Sequence, residues 1–420
     1  MKPISISLSP NIEKDDIKLT FKLLFSPWKW KKNKAVERLE GKFKKYLGVR
    51  YAFAFNSGRS ALMAILYSLG IDREDEVLLQ AFTCNAAVNP ILAVGARPVF
   101  VDVDETINID PDDLKKKVTP QTKAIMVQHT FGYPAKMERV LKIAKENELF
   151  LIEDCAHSLG VGYYNKKVGT FGDVAFFSFG RDKIISSVFG GMAVTNNKKI
   201  AEKIKEFQSK ISYPSNFWIF QQLLHPIMVN YFVLPAYGIG SNFGRIVLGG
   251  FHKFSILSKA VYKKEKKGEI PRCFPKRMPN ALAVLALNQL EKLEKFNRHR
   301  REIVRFYKKN LKKEFKMPLA KEEEDVFPIF MKFPILVGED TDKILKAARK
   351  RRIYLNDGWR KGPVVPPDTD ISKTGYQWGC CPQAEKIAES IVNLPTHINL
   401  SKKQAKKIVN FFNKYEKDEK

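Results

Sequence analysis

Short apolar runs alternate with stretches of helical spacing through the first half of the chain. Val36, Leu39, Phe43, Tyr46 and Leu47 line one face of a predicted helix, the run YAFAF follows at 51–55, and a second helical stretch covers 60–69. The runs VLLQA, RPVFVDV, KAIMVQH, LFLIE, VAFFSF and GMAVT then recur, mostly with helical patterns between them. Apolar runs without alternation are what parallel strands covered on both faces require. The pattern over 36–210 therefore predicts an α/β domain built on an open, mostly parallel sheet flanked by helices.

The pattern changes after 210. Residues 211–244 contain no Asp, Glu, Lys or Arg, and within them FWIFQQLLHPIMVNYFVL is apolar but interrupted by Gln221, Gln222, His225, Pro226 and Asn230. Those interruptions make it a poor spanning helix. The basic run KKEKK follows at 263–267. A long helix is expected from near Asn280 through ALAVLALNQLEKLEKF, then a strand over 325–337, helices near 341–352 and 382–391, and a closing Lys-rich helix. The expected organisation is a basic-aromatic segment at 1–35, a large domain at 36–210, an uncharged insert and basic linker at 211–270, and a linking helix with a smaller C-terminal α+β domain at 271–420.

Composition narrows the class. The chain has 420 residues, 44% of them hydrophobic, which is globular and long enough for about two or three folding units. Its formal net charge of +28 asks for an anionic partner: nucleic acid, an anionic membrane face or a phosphate-bearing substrate. The basic residues are spread along the chain without the aromatic interleaving of a nucleic-acid reader, so nucleic acid is disfavoured. Five cysteines with no CxxC pair point to a reducing compartment and to no metal site, and MKPISISLSP has no secretory core, so a cytoplasmic location is expected.

Candidate chemistry sits at strand ends. LFLIEDCAHSLG at 149–160 ends an apolar run in Glu153 and Asp154, at the edge where α/β folds place ligands. Alone, this pair reads more readily as a strand-end turn with a cap. VAFFSF leads through Ser178, Gly180 and Arg181 to Lys183 and then to Gly190-Gly191, while Asn56-Ser57-Gly58-Arg59-Ser60 joins YAFAF to a helix whose N-terminus suits a phosphate.

In order, NSGRSAL, ARPVFVDVD, QHTFGYPAKM, IEDCAHSLG, KKVGTFGDVAFFSF, Lys183 with Gly190-Gly191, and CPQAEKIAESIVNLPTH resemble the DegT/DnrJ/EryC1/StrS family of fold-type I, pyridoxal-phosphate-dependent sugar aminotransferases. The similarity is close over 36–210, resumes at KRMPNALAVLALNQLEKL and at 381–397, and is weak or absent over 211–270. The resemblance implies a pyridoxal 5'-phosphate cofactor with Lys183 as its Schiff-base lysine and Asp154 as partner of the pyridinium nitrogen. It places His157 beside the ring and Gly58, Arg59 and Ser178 at the phosphate. Cys84, after Thr83, stands where the family commonly stacks an aromatic residue, and Pro275 where a dimer partner's asparagine often reaches the phosphate, a loss for which Arg59 could compensate. Arg277, with Lys276 beside it, could clamp a donor carboxylate or a substrate phosphate.

The activity so implied moves an amino group, expected from glutamate, onto a keto sugar on a nucleotide or other phosphate carrier, for surface polysaccharide or amino-sugar synthesis by a homodimer. A sugar dehydratase of the same family is expected to lack the lysine, and a non-catalytic regulator or nucleic-acid binder would rest on charge alone. For 211–244 two expectations compete. One is core or dimer contact. The other is peripheral contact with an anionic membrane at its inner face, together with FKLLFSPWKWKKNK at 21–34.

Overall fold

The computed structural model describes residues 3–319, 323–338 and 341–415. Its centre is a seven-stranded sheet made of β1 (Tyr51–Phe55), β2 (Glu76–Gln80), β3 (Arg97–Val101), β4 (Thr122–Gln128), β5 (Phe150–Asp154), β6 (Val174–Ser178) and β7 (Gly191–Thr195). The strand order is β1-β7-β6-β5-β4-β2-β3, parallel except for β7, which runs antiparallel to both β1 and β6. The apolar runs form these strands because helices cover both faces, and side chains such as Ala54, Leu78, Ile125, Ile152 and Ala175 are buried. This is the sheet that a fold-type I transferase requires.

The register brings the chemistry to one edge. Phe176 of β6 lies opposite Asp154 of β5, and Gly191 of β7 lies between Phe55 and Ser178. The ends of β1, β5 and β6 and the start of β7 thus meet around the Lys183 loop. Beyond the sheet, β8 (Lys332–Leu336) and β9 (Ile391–Pro395) pair antiparallel, with helices Leu293–Asn310, Thr341–Lys350, Pro382–Ser390 and Lys402–Tyr415 in the same part of the chain. Residues 416–420, the end of the expected Lys-rich helix, lie outside the described residues.

Two expectations need correction. The long helix from Asn280 breaks after Leu290 and restarts at Leu293. The strand expected over 325–337 is two pieces, Val326–Phe327 and β8, with Phe330 between them at a positive φ. The interrupted segment after 211 nevertheless runs as one helical stretch, Asn216–Ile239. It passes Pro226 and widens into a π-turn at Val229–Val233, where the Asn230 side chain donates to the Pro226 carbonyl at 2.9 Å. A helix Ser241–Lys253 then folds back on it.

Residues 3–30 pack on the body of the protein. Ile4–Ser5 pairs with Ile353–Tyr354, and helix Lys14–Leu24 lies on helices Asn216–Met228 and Asn280–Leu290. Buried Asp16 accepts hydrogen bonds from Gln289, Asn288 and Lys292 at 2.6, 2.7 and 2.9 Å, which fixes that helix in place.

Candidate active site

Glu153 and Asp154 are adjacent on β5, so their side chains point to opposite faces of the sheet. The Glu153 carboxylate is wholly buried and accepts the backbone N–H groups of Gly169, Phe171 and Gly172 at 2.7, 2.7 and 2.8 Å, and it also meets His129 Nε2 at 3.2 Å. His129 Nδ1 accepts the Ala135 N–H at 3.2 Å, which leaves Nε2 to donate to Glu153. Cys155 lies close enough to complete a three-ligand group with His129 and Glu153, but backbone donors already occupy both Glu153 oxygens. Glu153 therefore holds the loop KKVGTFGD in place.

Asp154 is the carboxylate left for chemistry. One of its oxygens accepts the Ala156 N–H at 2.9 Å. Burial pushes its pKa up to about 6, against that hydrogen bond and the charge of Lys183. A buried carboxylate so poorly compensated favours a cationic N–H partner.

Lys183 follows β6 on the same edge and is half-buried. Among the described residues, no hydrogen bond or ion pair of its amine is found. Its backbone, by contrast, is tightly held. Asn11 donates to the Lys183 carbonyl at 2.5 Å, and the buried Arg300 guanidinium reaches both Asn11 and the Ile184 carbonyl. Composition gave no signal for Asn11, whose role depends on contacts across the whole chain.

The phosphate-binding candidate is the N-terminus of helix Gly58–Leu69. The Ser57 hydroxyl caps Ser60 N–H at 3.1 Å, leaving the first N–H groups of Gly58 and Arg59 without partners inside the helix. Ser178 closes the other side, where a Cβ on Gly58 would come within 3.1 Å of the Ser178 Cβ. Gly191 allows this approach, because a Cβ there would lie 2.5 Å from Gly58 N and from the Ser57 backbone. Gly191→Ala is accordingly expected to cost about 3 kcal/mol by forcing β7 off the helix start, read as a lower denaturation midpoint.

The Arg59 side chain turns away from this cradle. Its guanidinium pairs with buried Glu265 at 2.5 Å, donates to the Ala260 carbonyl at 3.0 Å and lies over Phe274. Arg181 likewise donates to Ser258, so the segment after 255 is tied down beside the Lys183 loop. Cys84 begins helix Asn85–Ala93, and burial raises its thiol pKa. Arg277 donates to the Gln208 and Ser209 carbonyls at 2.8 and 2.9 Å, and Lys276 to Ser212 Oγ at 2.8 Å. Within this chain those two side chains serve the end of helix Lys198–Lys210.

An aromatic wall stands beside the site. His157 stacks on Phe131 with ring centroids 5.6 Å apart and meets the Trp359 ring edge-on at 4.9 Å. Burial, reinforced by the charges of Lys183 and Lys332, keeps His157 neutral. Lys332 is fully buried 3.0 Å from Asp357 and 3.5 Å from Asp182, with its ammonium near the Phe131 and Trp359 rings. Burial opposes its charge, but the two carboxylates outweigh that and raise its pKa. Burial likewise pushes Asp182 up, and the charges of Lys183 and Lys332 overcome it, holding Asp182 at about 2. The sequence signal for Lys332 was a lone lysine within the apolar run FPIFMKFPIL.

A profile described as the DegT/DnrJ/EryC1/StrS aminotransferase family matches residues 10–220 and 251–413, a wider span than the motifs suggested. GDP-perosamine synthase of Escherichia coli O157:H7 is 31% identical over 94% of each chain. A dTDP-3-amino-3,6-dideoxy-alpha-D-galactopyranose transaminase of Aneurinibacillus thermoaerophilus is 28% identical over 90% of each. Among solved structures, Helicobacter pylori PseC, an aminotransferase of pseudoaminic acid biosynthesis, superposes with a TM-score of 0.74 at 25% identity, covering 99% of this chain and 100% of that one. With a family match across most of its length and the lysine, carboxylate and helix start meeting at one sheet edge, this chain belongs to the DegT/DnrJ/EryC1/StrS aminotransferase family.

Proposed function

We propose that the chain binds pyridoxal 5'-phosphate and transfers an amino group from glutamate to a keto sugar carried on a nucleotide, working as a homodimer. The observation that carries this reading is the unpartnered Lys183 amine on the same edge as the under-compensated Asp154 carboxylate, beside a helix start able to take a phosphate. The residues fit the cofactor: Gly58 and Arg59 N–H groups with Ser178 would hold its phosphate, Asp154 its ring nitrogen, and Lys183 its aldehyde carbon. When bound, the cofactor supplies an electron sink for the carbon that loses or gains the amino group. Asp154 holds a proton at the ring nitrogen, and the Lys183 amine moves a proton to and from the reacting carbon. His157, neutral and walled in by Phe131 and Trp359, keeps water from that face.

The nucleotide-sugar substrate is drawn from the names of the two curated relatives, and the presence of Lys183 favours transamination over dehydration. Arg277 and Lys276 enter a site only across a dimer in this reading. The five free thiols agree with a reducing, cytoplasmic setting. Adding glutamate to the purified, cofactor-loaded protein should remove its visible absorbance, and a nucleotide-linked keto sugar should then restore it with formation of the amino sugar by mass spectrometry. An absorbance unchanged by every amino-acid donor would overturn the reading.

A further inference from the structure

Helix Asn216–Ile239 carries no charge on any side, and its polar Gln221, Gln222 and His225 are buried while an apolar outer face is left exposed. Trp218, Ile219, Gln222, Leu223 and Val229 are buried toward the protein, while Phe217, Phe220, Leu224, Tyr231 and Ile239 recur at helical spacing along the outer face, with exposed Phe232 beside Tyr231. Tyr231 is 59% exposed and Ile239 70% exposed. A surface helix ordinarily turns charged residues outward, and this one has no charged residue anywhere along its length. At its start the face is widened by the neighbouring N-terminal segment, where Trp30 lies 6.4 Å from Phe220 and where Phe25 and Trp28 are 79% and 73% exposed. Its far half pairs with helix Ser241–Lys253, which leaves Phe243 and Ile246 exposed.

We propose that this face docks on an anionic lipid surface, with the helix lying in the plane of the interface. Charge selects the occupant. No Asp or Glu occurs from 207 to 264 or from 17 to 36, while Lys18, Lys22, Lys29, Arg245 and Lys253 are exposed around the aromatic residues. A second copy of the chain would present the same cations with no acid to meet them, whereas anionic headgroups complement them and the phenylalanine, tyrosine and tryptophan rings suit the headgroup level. Of the most apolar 18-residue window of the helix, 56% is already buried against the protein, so the helix lies on a bilayer and does not cross it. The stretch 221–250, which holds most of this helix and of its partner, is also the internal gap between the two segments that the family profile matches.

The test is sedimentation of the full chain with vesicles of phosphatidylcholine alone or mixed with phosphatidylglycerol, at low and high salt, beside light-scattering mass. Wild type is expected to bind only the mixed vesicles and to be released by salt. Phe220→Ser/Phe232→Ser and Lys22→Glu/Lys29→Glu should each weaken binding at least about tenfold while circular dichroism and mass stay unchanged. Absence of binding to either vesicle, equal binding to both, or a Phe220→Ser/Phe232→Ser protein of lower oligomeric mass would overturn the proposal, the last by making the face a subunit contact. The readout does not require catalysis, so its failure is distinct from failure of the aminotransferase reading.

Discussion

Lys183→Ala is expected to lower amino transfer by at least about 10⁴-fold, because it removes both the covalent anchor for the cofactor and the amine that moves the proton. The structure offers one rival, since Lys332 is also beside the site. The two lysines differ in what surrounds them. Lys332 is enclosed by Asp357 and Asp182, which keep its ammonium charged and unable to attack. Among the described residues the Lys183 amine has no such partner, while Asn11 and Arg300 fix its backbone. Treating the loaded wild-type protein with borohydride should fix the cofactor mass on the peptide containing Lys183, and the alanine variant should show no fixed mass. A fixed mass on the peptide containing Lys332, or a Lys183→Ala protein that still transaminates, would reassign the role.

The parallel sheet was legible because strands covered on both faces must be apolar throughout, so YAFAF, LFLIE and VAFFSF stood out from the helical spacing around them. The same logic located Asp154, at the end of such a run. What the run could not show was which of Glu153 and Asp154 serves the site, because that depends on a loop sixteen to nineteen residues later folding back to give Glu153 its three N–H donors. Arg59 illustrates a different limit. Its backbone stays where the motif put it, while its side chain is drawn to Glu265, two hundred residues away in the chain. Lys332, Trp359 and Asn11 were out of reach for the same reason, since each acts through a contact between distant segments. The charge-free stretch was visible as an oddity, but its helix was not, because Pro226 is accommodated by a neighbouring π-turn that no residue pattern announces.

Asp154→Asn is expected to cut turnover by at least about a hundredfold while making the cofactor-free protein more stable at neutral pH. The two effects have one cause. In the cofactor-free protein, burial raises the Asp154 pKa from the usual 3.8 to about 6, so the folded state holds a proton that the unfolded chain releases. Stability of the cofactor-free protein must then fall as pH rises from about 4 to about 6 and stay lowered above that. The interval corresponds to roughly 3 kcal/mol as an upper bound. Asparagine keeps an oxygen for the Ala156 N–H but has no charge to desolvate, so the variant should gain on wild type at pH 7.5 and show no gain at pH 4. With the cofactor bound, the comparison reverses. The protonated ring nitrogen supplies the missing partner of the carboxylate, so loading should stabilise wild type more than the variant. Thermal melts of both proteins, with and without cofactor at the two pH values, read all four terms. A variant that matches wild type in turnover and shows no pH-dependent gain would return Asp154 to the end of an ordinary strand.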